Sequence, residues 1–491
     1  MFKTVSPESI GISSKYVSQF INTLNERSLA THSVILARGE NIFAEAYWAP
    51  FDKDFCHRMY SQTKSFVSVA IGLLIDDGLL SLDDKICSHF PDKIDRDPPE
   101  NLKNMTIRDM LTMQTCGFAP SWFTNEDLDR THLYLNKNSS NIVPGTRFAY
   151  DSDSTQVLSS LVEKLTKKSL FDFLNERIFR HLGTFKTASI LKTKNEDSFG
   201  DSALLCTTRD MLSFARFLLD YGCVNGKQLI SASYLKEATS PLVDNDTLGY
   251  KAYNTSGYGY LFWCMGKDCF FLNGMGCQMT FCIPKLDLIF TITSDNQGFS
   301  DAKSLIVTAF YDIIVKNLKN SPLPEDSEAY NRLCSISSSL ELMHLESSAD
   351  TNLKSKINGK KYICEDNPMG ISEFTFNFSD SEGTLCYKNK QGAKKLPFGI
   401  DKNAFCPFPE ENYSHIHAGL PSDDGYLYNC ACSLAFTEEN KLKIKAQIID
   451  KYMGNLIMTF SFKENSAQVV MSKSAEDFLK EYSGTLTAKS Q

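Results

Sequence analysis

The chain has 491 residues, of which 42% are hydrophobic and 22% are charged, a balance typical of folded proteins with large cores. This length exceeds one ordinary domain, because domains average about 100–200 residues. The net charge of −8 argues against nucleic acid as a partner, because nucleic-acid-binding proteins gather Lys and Arg on one surface.

The first 318 residues are predicted to mix helices and strands. A helix at VSQFINTLNER precedes two β-rich runs that fold into a hairpin, HSVILARGENIFAEAYW. A buried helix over 65–77 follows, and further helices lie at TIRDMLTMQT, with Thr106 as N-cap, and at STQVLSSLVEKLT, LFDFLNERIFRHLG and TTRDMLSFARFLLDYG. Strands return at YGYLFWCMG, CFFLNGMG, QMTFCIP and LDLIFTITSD, before a closing helix at AKSLIVTAFYDIIVKNL. This order predicts an α+β fold, with helices against an antiparallel sheet that both ends of the unit complete.

A domain boundary is predicted at KNSPLPEDSEAYNR, where two prolines lie among charged residues. Beyond it, three hairpins with turns at 380–383, 438–441 and 463–466 predict a small all-β domain, either a barrel or a sandwich. The expected organisation is a first domain over 1–318, a linker over 319–350, an all-β domain over 351–473 and a C-terminal tail over 474–491.

The pattern Ser-x-x-Lys occurs four times, at Ser61, Ser189, Ser233 and Ser300. Only Ser61 opens a helix that is apolar on nearly every side, which indicates a central buried helix. Lys64 lies one turn away and can reach the Ser61 hydroxyl. The helix N-terminus and burial both favour a neutral amine that takes the serine proton. In the alternative, Ser61 only caps the helix while Lys64 extends to solvent.

Two more segments are candidates for chemistry. Tyr150 and Ser152, in PGTRFAYDSDS, lie in a turn just before a helix. A tyrosine phenol needs a cationic neighbour to act as a base near neutral pH, and Lys64 could be that neighbour. The alternative is a capping turn with a half-buried tyrosine. The strand FFLNGMGCQMTFCIP is interrupted by Gly274 and Gly276, where a substrate could approach the backbone closely.

The sequence predicts neither a metal nor a cofactor. The pairs His415 with His417 and Cys430 with Cys432 have a spacing that places both side chains on one face of a strand, but neither matches an established zinc motif. His415 and His417 lie with Tyr413 in a long connecting segment, where surface-loop residues are the default. No phosphate loop or dinucleotide fingerprint accompanies the glycines of NGMG.

The predicted location is the cytoplasm. The first residues, MFKTVSPESIGISS, lack the apolar core of a secretory signal, and the longest apolar run, 66–75, is shorter than the roughly 20 residues that cross a bilayer. The fifteen cysteines are scattered without a regular framework, as expected of thiols kept reduced in a cytosol. We therefore expect no membrane partner.

The ordered set of Ser61-x-x-Lys64, Tyr150-x-Ser152 and NGMGCQ resembles the serine β-lactamase and penicillin-binding-protein superfamily. The resemblance covers about residues 6–316 and is closest to the class C-like branch of esterases and D-aminopeptidases. It implies an antiparallel sheet flanked by helices, beside a helical subdomain, with the active site between them. The C-terminal β region resembles the lipocalin-like or sandwich domain appended to some of these hydrolases.

The resemblance also implies roles for individual residues. Ser61 attacks a carbonyl and forms an acyl-enzyme, while Lys64 and Tyr150 together take and return its proton. Which of the two is the base stays open, since a coupled pair need not have a single answer. The backbone N–H groups of Ser61 and Met275 form the oxyanion hole. The residues implied to bind the substrate are Ser152, Asn273, Gly274 and Met275.

Two departures from the family pattern concern the substrate. Ser152 stands where the lactamases carry Asn, and Leu272 stands where they carry the cation of Lys-Thr-Gly or His-x-Gly. Because that cation receives the carboxylate of the antibiotic, we expect β-lactams to be poor substrates and a small ester, amide or peptide to be preferred. The main hypothesis is a serine hydrolase. The alternatives are a non-catalytic sensor of a peptide or cell-wall fragment and a scaffold that acts through its β domain.

Overall fold

The computed structural model describes residues 2–122, 125–245, 256–411, 426–476 and 478–491. The chain forms two compact units, Met1–Glu341 and Leu342–Gln491. The first unit contains all three segments that resemble the hydrolase motifs, and the second contains the predicted β domain.

The centre of the first unit is a largely antiparallel sheet. The strands of this unit are β1 (Lys3–Thr4), β2 (Thr31–Arg38), β3 (Asn41–Tyr47), β4 (His57–Arg58), β5 (Ser189–Ile190), β6 (Leu204–Cys206), β7 (Cys223–Val224), β8 (Lys227–Gln228), β9 (Trp263–Met265), β10 (Cys269–Gly274), β11 (Gln278–Ile283) and β12 (Leu288–Ser294). Within the described residues, seven of them form one sheet in the order β1-β3-β2-β12-β11-β10-β9, in which only β1 and β3 run parallel. The pairing of β2 with β12 confirms a sheet completed by both ends of the unit.

Helices surround this sheet. They are α1 (Ser14–Glu26), α2 (Thr63–Asp76), α3 (Ile86–His89), α4 (Glu100–Asn104), α5 (Ile107–Leu111), α6 (Arg130–Lys137), α7 (Ser152–Thr166), α8 (Leu170–Leu174), α9 (Arg180–Leu182), α10 (Thr208–Leu219), α11 (Ala232–Ala238), α12 (Ala302–Ala309) and α13 (Ser327–Ser338). Thr106 caps α5 in a capping box with Asp109, as predicted. Helix α10 packs on β2, β11 and β12, whereas α2 is surrounded by α7, α8 and α11.

Aromatic rings fill the space between the sheet and the terminal helices. Phe290 of β12 lies 5.5 Å from Phe20 of α1 and 4.5 Å from Phe310, which follows α12, measured between ring centroids. Phe281 of β11 lies 5.8 Å from both Phe290 and Phe310. This core joins α1 and the segment after α12 to the sheet, and it includes β11, the strand that pairs with β10.

The second unit is a closed barrel. Its elements are α14 (Leu353–Ile357), β13 (Lys361–Cys364), β14 (Glu373–Phe378), β15 (Glu382–Asn389), β16 (Gly392–Ile400), β17 (Ala404–Glu411), β18 (Leu427–Glu438), β19 (Lys441–Ile449), β20 (Met453–Lys463), β21 (Ser466–Ser474) and β22 (Gly484–Ser490). Among the described residues, nine strands close a ring in the order β16-β15-β14-β13-β22-β21-β20-β19-β18, and β17 adds to β18 outside it. The ring closes where Gly399 pairs with Ser433 and Ile400 with Leu434. The three predicted hairpins are present, and the domain is a barrel rather than a sandwich.

The boundary between the two units lies further along the chain than the sequence suggested. Within the expected linker, α13 packs against α1 and buries Ala329 and Leu333, so the first unit continues to Glu341. Within the expected tail, β22 pairs with both β13 and β21 and buries Leu486 and Ala488. Both segments carry few apolar residues, and these are enough to bury one face of a helix or a short strand.

Candidate active site

Ser61 lies in a single 3₁₀ turn, Tyr60–Gln62, that leads directly into α2. Its side chain is half-buried, and the preceding Tyr60 has a φ of +47°. The hydroxyl of Thr63 donates to the Tyr60 carbonyl at 2.7 Å and holds the turn. The alternative in which Ser61 only caps the helix is wrong, because Gln62 occupies the N-cap position without a side-chain capping bond. Within the described residues, the Ser61 hydroxyl makes no hydrogen bond to the helix backbone.

Lys64 is buried, with 1% of its surface exposed, and does not extend to solvent. Its Nζ donates to Ser61 Oγ at 3.1 Å and to the backbone carbonyl of Asp201 at 2.7 Å. The one-turn spacing on a helix brings the first pair together, as the sequence predicted. The Asp201 carbonyl comes from a distant part of the chain, and it fixes the direction of the amine.

Tyr150 lies beside Lys64, just before α7. The centroid of its ring is 5.2 Å from Lys64 Nζ, and the ring stacks on Trp263 of β9 with centroids 5.5 Å apart. Within the described residues, its hydroxyl makes no hydrogen bond to Ser61 or Lys64. The structure thus brings together the three residues that the sequence singled out, with the phenol near the amine rather than bonded to it.

Two residues after Tyr150 complete this turn. Asp151 is the N-cap of α7 and accepts from the backbone N–H groups of Asp153 and Ser154 at 3.0 and 3.2 Å. Burial, together with the neighbouring Asp153 charge, raises the pKa of Asp151 to about 7. Ser152 is the first residue of α7 and half-buried. In the described part of the chain its hydroxyl makes no hydrogen bond, so it is available to a ligand.

The end of β10 contacts the turn that holds Ser61. Gly274 makes this approach possible, because a Cβ at this position would lie 2.3 Å from the Met59 carbonyl oxygen. Asn273 is half-buried, and its buried Oδ1 has no hydrogen-bond partner among the residues that the structure describes. Leu272 is buried, and Met275 begins the 3₁₀ turn that follows the strand.

Arg130 and Asp201 were not found by sequence reasoning. Arg130 NH1 donates to Asp201 Oδ1 at 2.7 Å, and its NH2 donates to Asp153 Oδ1 at 2.6 Å. Burial disfavours the guanidinium, but the two carboxylates outweigh it and raise the pKa of Arg130 above its ordinary value. The sequence holds no local signal for this cluster, because its members come from three separate segments.

The remaining candidate ligands do not form a site in the described residues. Tyr413, His415 and His417 lie outside the described residues. Cys430 and Cys432 are buried on β18, and across the described ranges no group of three or more His, Cys, Asp or Glu side chains is placed to hold a metal ion. Among the same residues, no helix is both long enough and apolar enough to span a membrane.

Comparison with known proteins agrees with the family resemblance of the three motifs. Residues 17–309 match the family model described as Beta-lactamase. The 6-aminohexanoate-dimer hydrolase of Paenarthrobacter ureafaciens is 24% identical over 263 residues, which are 50% of this chain and 67% of that protein. The solved structure of a penicillin-binding-protein homologue from Caulobacter crescentus is similar with a TM-score of 0.52 and 16% identity, over 63% of this chain and 99% of that chain. At that identity the structural likeness shows the fold alone.

Proposed function

The chain belongs to the Beta-lactamase family, and we propose that it is a serine hydrolase that cleaves a small ester or amide through an acyl-enzyme on Ser61. The hydrogen bond of 3.1 Å from Lys64 Nζ to Ser61 Oγ carries this proposal. A serine hydroxyl that is not used for capping and lies beside a buried lysine has the arrangement expected of a nucleophile next to its base. The hydrolase relative supports the same reaction class.

The contacts of Lys64 support a role in proton transfer. A neutral amine has two N–H bonds and one lone pair, and the Asp201 carbonyl accepts one N–H at 2.7 Å. The same 3.1 Å separation lets the Ser61 hydroxyl donate instead to the lone pair of the amine, which takes the proton as Oγ bonds to the substrate carbonyl carbon. The proton passes through Lys64 and Tyr150 to the departing alcohol or amine. Water attacks the ester of Ser61 next and releases the acid, which restores the hydroxyl.

The oxyanion that forms in this step needs backbone donors. We assign them to the N–H groups of Ser61 and Met275. Their hydrogen bonds to the substrate oxygen strengthen as negative charge develops on that oxygen. The close approach of Gly274 to Met59 supports this assignment, because it holds the start of the Met275 turn beside the Ser61 turn.

Strand β10, beside the Ser61 turn, affects which substrates the site can bind. Leu272 is buried and apolar where the antibiotic-directed members carry a cation, so a substrate carboxylate gains no partner there. The side chains that remain for a neutral substrate are the Asn273 amide and the Ser152 hydroxyl. The relative named as a 6-aminohexanoate-dimer hydrolase supports including linear amides among the substrates. We also propose a cytoplasmic location, which the fifteen free thiols support.

The test is turnover of a panel of esters, linear amides and β-lactams by the full chain. We expect ester or amide hydrolysis that falls at least about 1,000-fold in Ser61→Ala and Lys64→Ala, and more modestly in Tyr150→Phe. Ser233→Ala is the matched control, because Ser233 begins the same Ser-x-x-Lys pattern but is exposed. A folded wild type without turnover on any member would favour the alternative of a non-catalytic sensor.

A further inference from the structure

Arg130 is buried in an aromatic environment at the start of α6. Its side chain is 3% exposed, and its guanidinium carbon lies 4.5 Å from the ring centroid of Trp122 and 5.0 Å from that of Phe199. Charged side chains are rarely this buried unless they are paired, because desolvation of a cation is costly. The two carboxylates of Asp201 and Asp153 provide the pairing, at 2.7 and 2.6 Å.

Each carboxylate belongs to a segment that touches the proposed catalytic residues. Asp201 presents its side chain to Arg130 and its backbone carbonyl to Lys64 Nζ. Asp153 lies in the first turn of α7, three residues after Tyr150. One rigid guanidinium thus ties together the backbone acceptor of Lys64 and the helix that follows Tyr150.

We propose that Arg130 is a positioning residue, which holds the Asp201 carbonyl against Lys64, while its ion pair with Asp153 anchors the guanidinium to the start of α7. This inference rests on the proposed function of Ser61, Lys64 and Tyr150. With the carbonyl fixed, one N–H of Lys64 is committed to it and the amine faces Ser61 Oγ. If the carbonyl moves, the amine is free to rotate, and displacement by about 1 Å can slow a reaction about 100-fold.

A purely structural role for Arg130 would lower the amount of folded protein without changing the chemistry of what remains folded. The variants Arg130→Lys and Asp201→Asn separate the two roles, because Lys keeps the charge but lacks the rigid planar guanidinium that donates from two nitrogens to the two carboxylates, and Asn keeps the backbone carbonyl but loses the ion pair. Arg216→Lys is the matched control, because Arg216 also bridges two carboxylates, Asp220 and Asp287, away from the site.

The experiment measures kcat, KM and the rate constant with which a fluorophosphonate phosphonylates Ser61 in these full-chain variants, with thermal unfolding to establish the folded fraction. We expect kcat and the phosphonylation rate to fall about 10- to 100-fold in both Arg130→Lys and Asp201→Asn, with KM within about twofold of wild type. The double variant is expected to lose no more than the worse single variant. In a Lys64→Ala background, Arg130→Lys is expected to cause no further loss, because it acts through Lys64.

The outcomes separate this proposal from the one on which it rests. If wild type is phosphonylated by the probe and both single variants match the Arg216→Lys control, the positioning role is overturned while the hydrolase stands. A second loss in the Lys64→Ala background would also overturn it. If Arg130→Lys fails to fold, Asp201→Asn decides alone by the same criteria. A folded wild type that neither reacts with the probe nor turns over a substrate overturns both.

Discussion

The backbone conformation around Ser61 orients its hydroxyl. Tyr60 adopts a φ of +47°, a region that non-glycine residues enter at a cost of roughly 1–3 kcal/mol. The turn that follows directs the Ser61 hydroxyl toward Lys64 and away from the capping position of α2. Local strain of this kind persists only where the surroundings hold it, and the Gly274–Met59 approach is one such support.

Gly274→Ala tests this support. The added methyl group would meet the Met59 carbonyl, so we expect the strand end to move and kcat/KM to fall at least about tenfold, with a loss of about 1–3 kcal/mol in the free energy of unfolding. Gly454→Ala is the control, because a Cβ there would also clash, with Ala475 and Phe478 in the barrel. The control should lose stability and keep kcat/KM. Equal kcat/KM in the two variants would contradict the claim that the Gly274–Met59 approach supports the Ser61 turn.

Asp151→Asn tests the buried carboxyl beside Tyr150. With a pKa of about 7 in the folded chain against an ordinary 3.8, the folded state holds a proton that the unfolded state has released between these values. The free energy of unfolding of wild type should therefore fall, relative to the variant, by about 4 kcal/mol as pH rises from 4 to 7, and level off above. Chemical denaturation of both proteins from pH 4 to 8 measures the difference. A constant difference would mean that the pKa is not raised.

The residues of the site differ in how far the sequence could predict them. Ser61 and Lys64 are one helical turn apart, so a short pattern on a buried helix was enough. Arg130 reaches Asp201 across 71 positions, and Lys64 reaches the Asp201 carbonyl across 137. No local period relates such distant positions, and only the packing of α6, α7 and the 201 segment brings them together.

The elements followed from periodicity wherever one face is consistently apolar. Helix α1 buries Val17, Phe20, Ile21 and Leu24 at helical spacing, and it was predicted. Strand β22 buries only Leu486 and Ala488 among polar residues, so the pattern of GTLTAKS predicts a tail rather than a strand. Its pairing with β13 and β21 closes the barrel, a long-range property that no short window contains.

A chain that ends after Ser483 tests the closure. Without β22, the edges of β13 and β21 are unpaired, and the barrel core around Leu486 is open to water. We expect the barrel to lose at least about 3 kcal/mol of stability and the protein to aggregate on heating. Thermal unfolding with light scattering measures both, with the full-length exposed-site variant Thr485→Ala as control. Unchanged unfolding would show that the segment is a tail after all.

The molecule divides into two units by its own packing rather than by composition. The prolines and charges of KNSPLPEDSEAYNR indicated a boundary near residue 319, yet α13 lies beyond it and packs on α1. Leu333 and Leu340 are both buried in the first unit. A polar, proline-containing segment can therefore be a surface connection within a unit as well as a linker between units.

Two shortened chains test where the first unit ends. We expect residues 1–341 to unfold in one cooperative transition and residues 1–318 to be less stable by more than about 3 kcal/mol, because the shorter chain lacks the buried side chains of Leu333 and Leu340. Urea denaturation followed by circular dichroism compares them. Equal stability of the two chains would place the boundary at 318.

The central claim is that Ser61 is the nucleophile of the site, and intact mass after treatment with a fluorophosphonate probe, which phosphonylates a nucleophilic serine with loss of fluoride, tests it most directly. We expect wild type to gain the mass of one adduct, with peptide mapping that locates the adduct on Ser61. Ser61→Ala should gain none, and Ser233→Ala should label like wild type. A folded wild type without an adduct, or equal labelling of Ser61→Ala, would contradict the account.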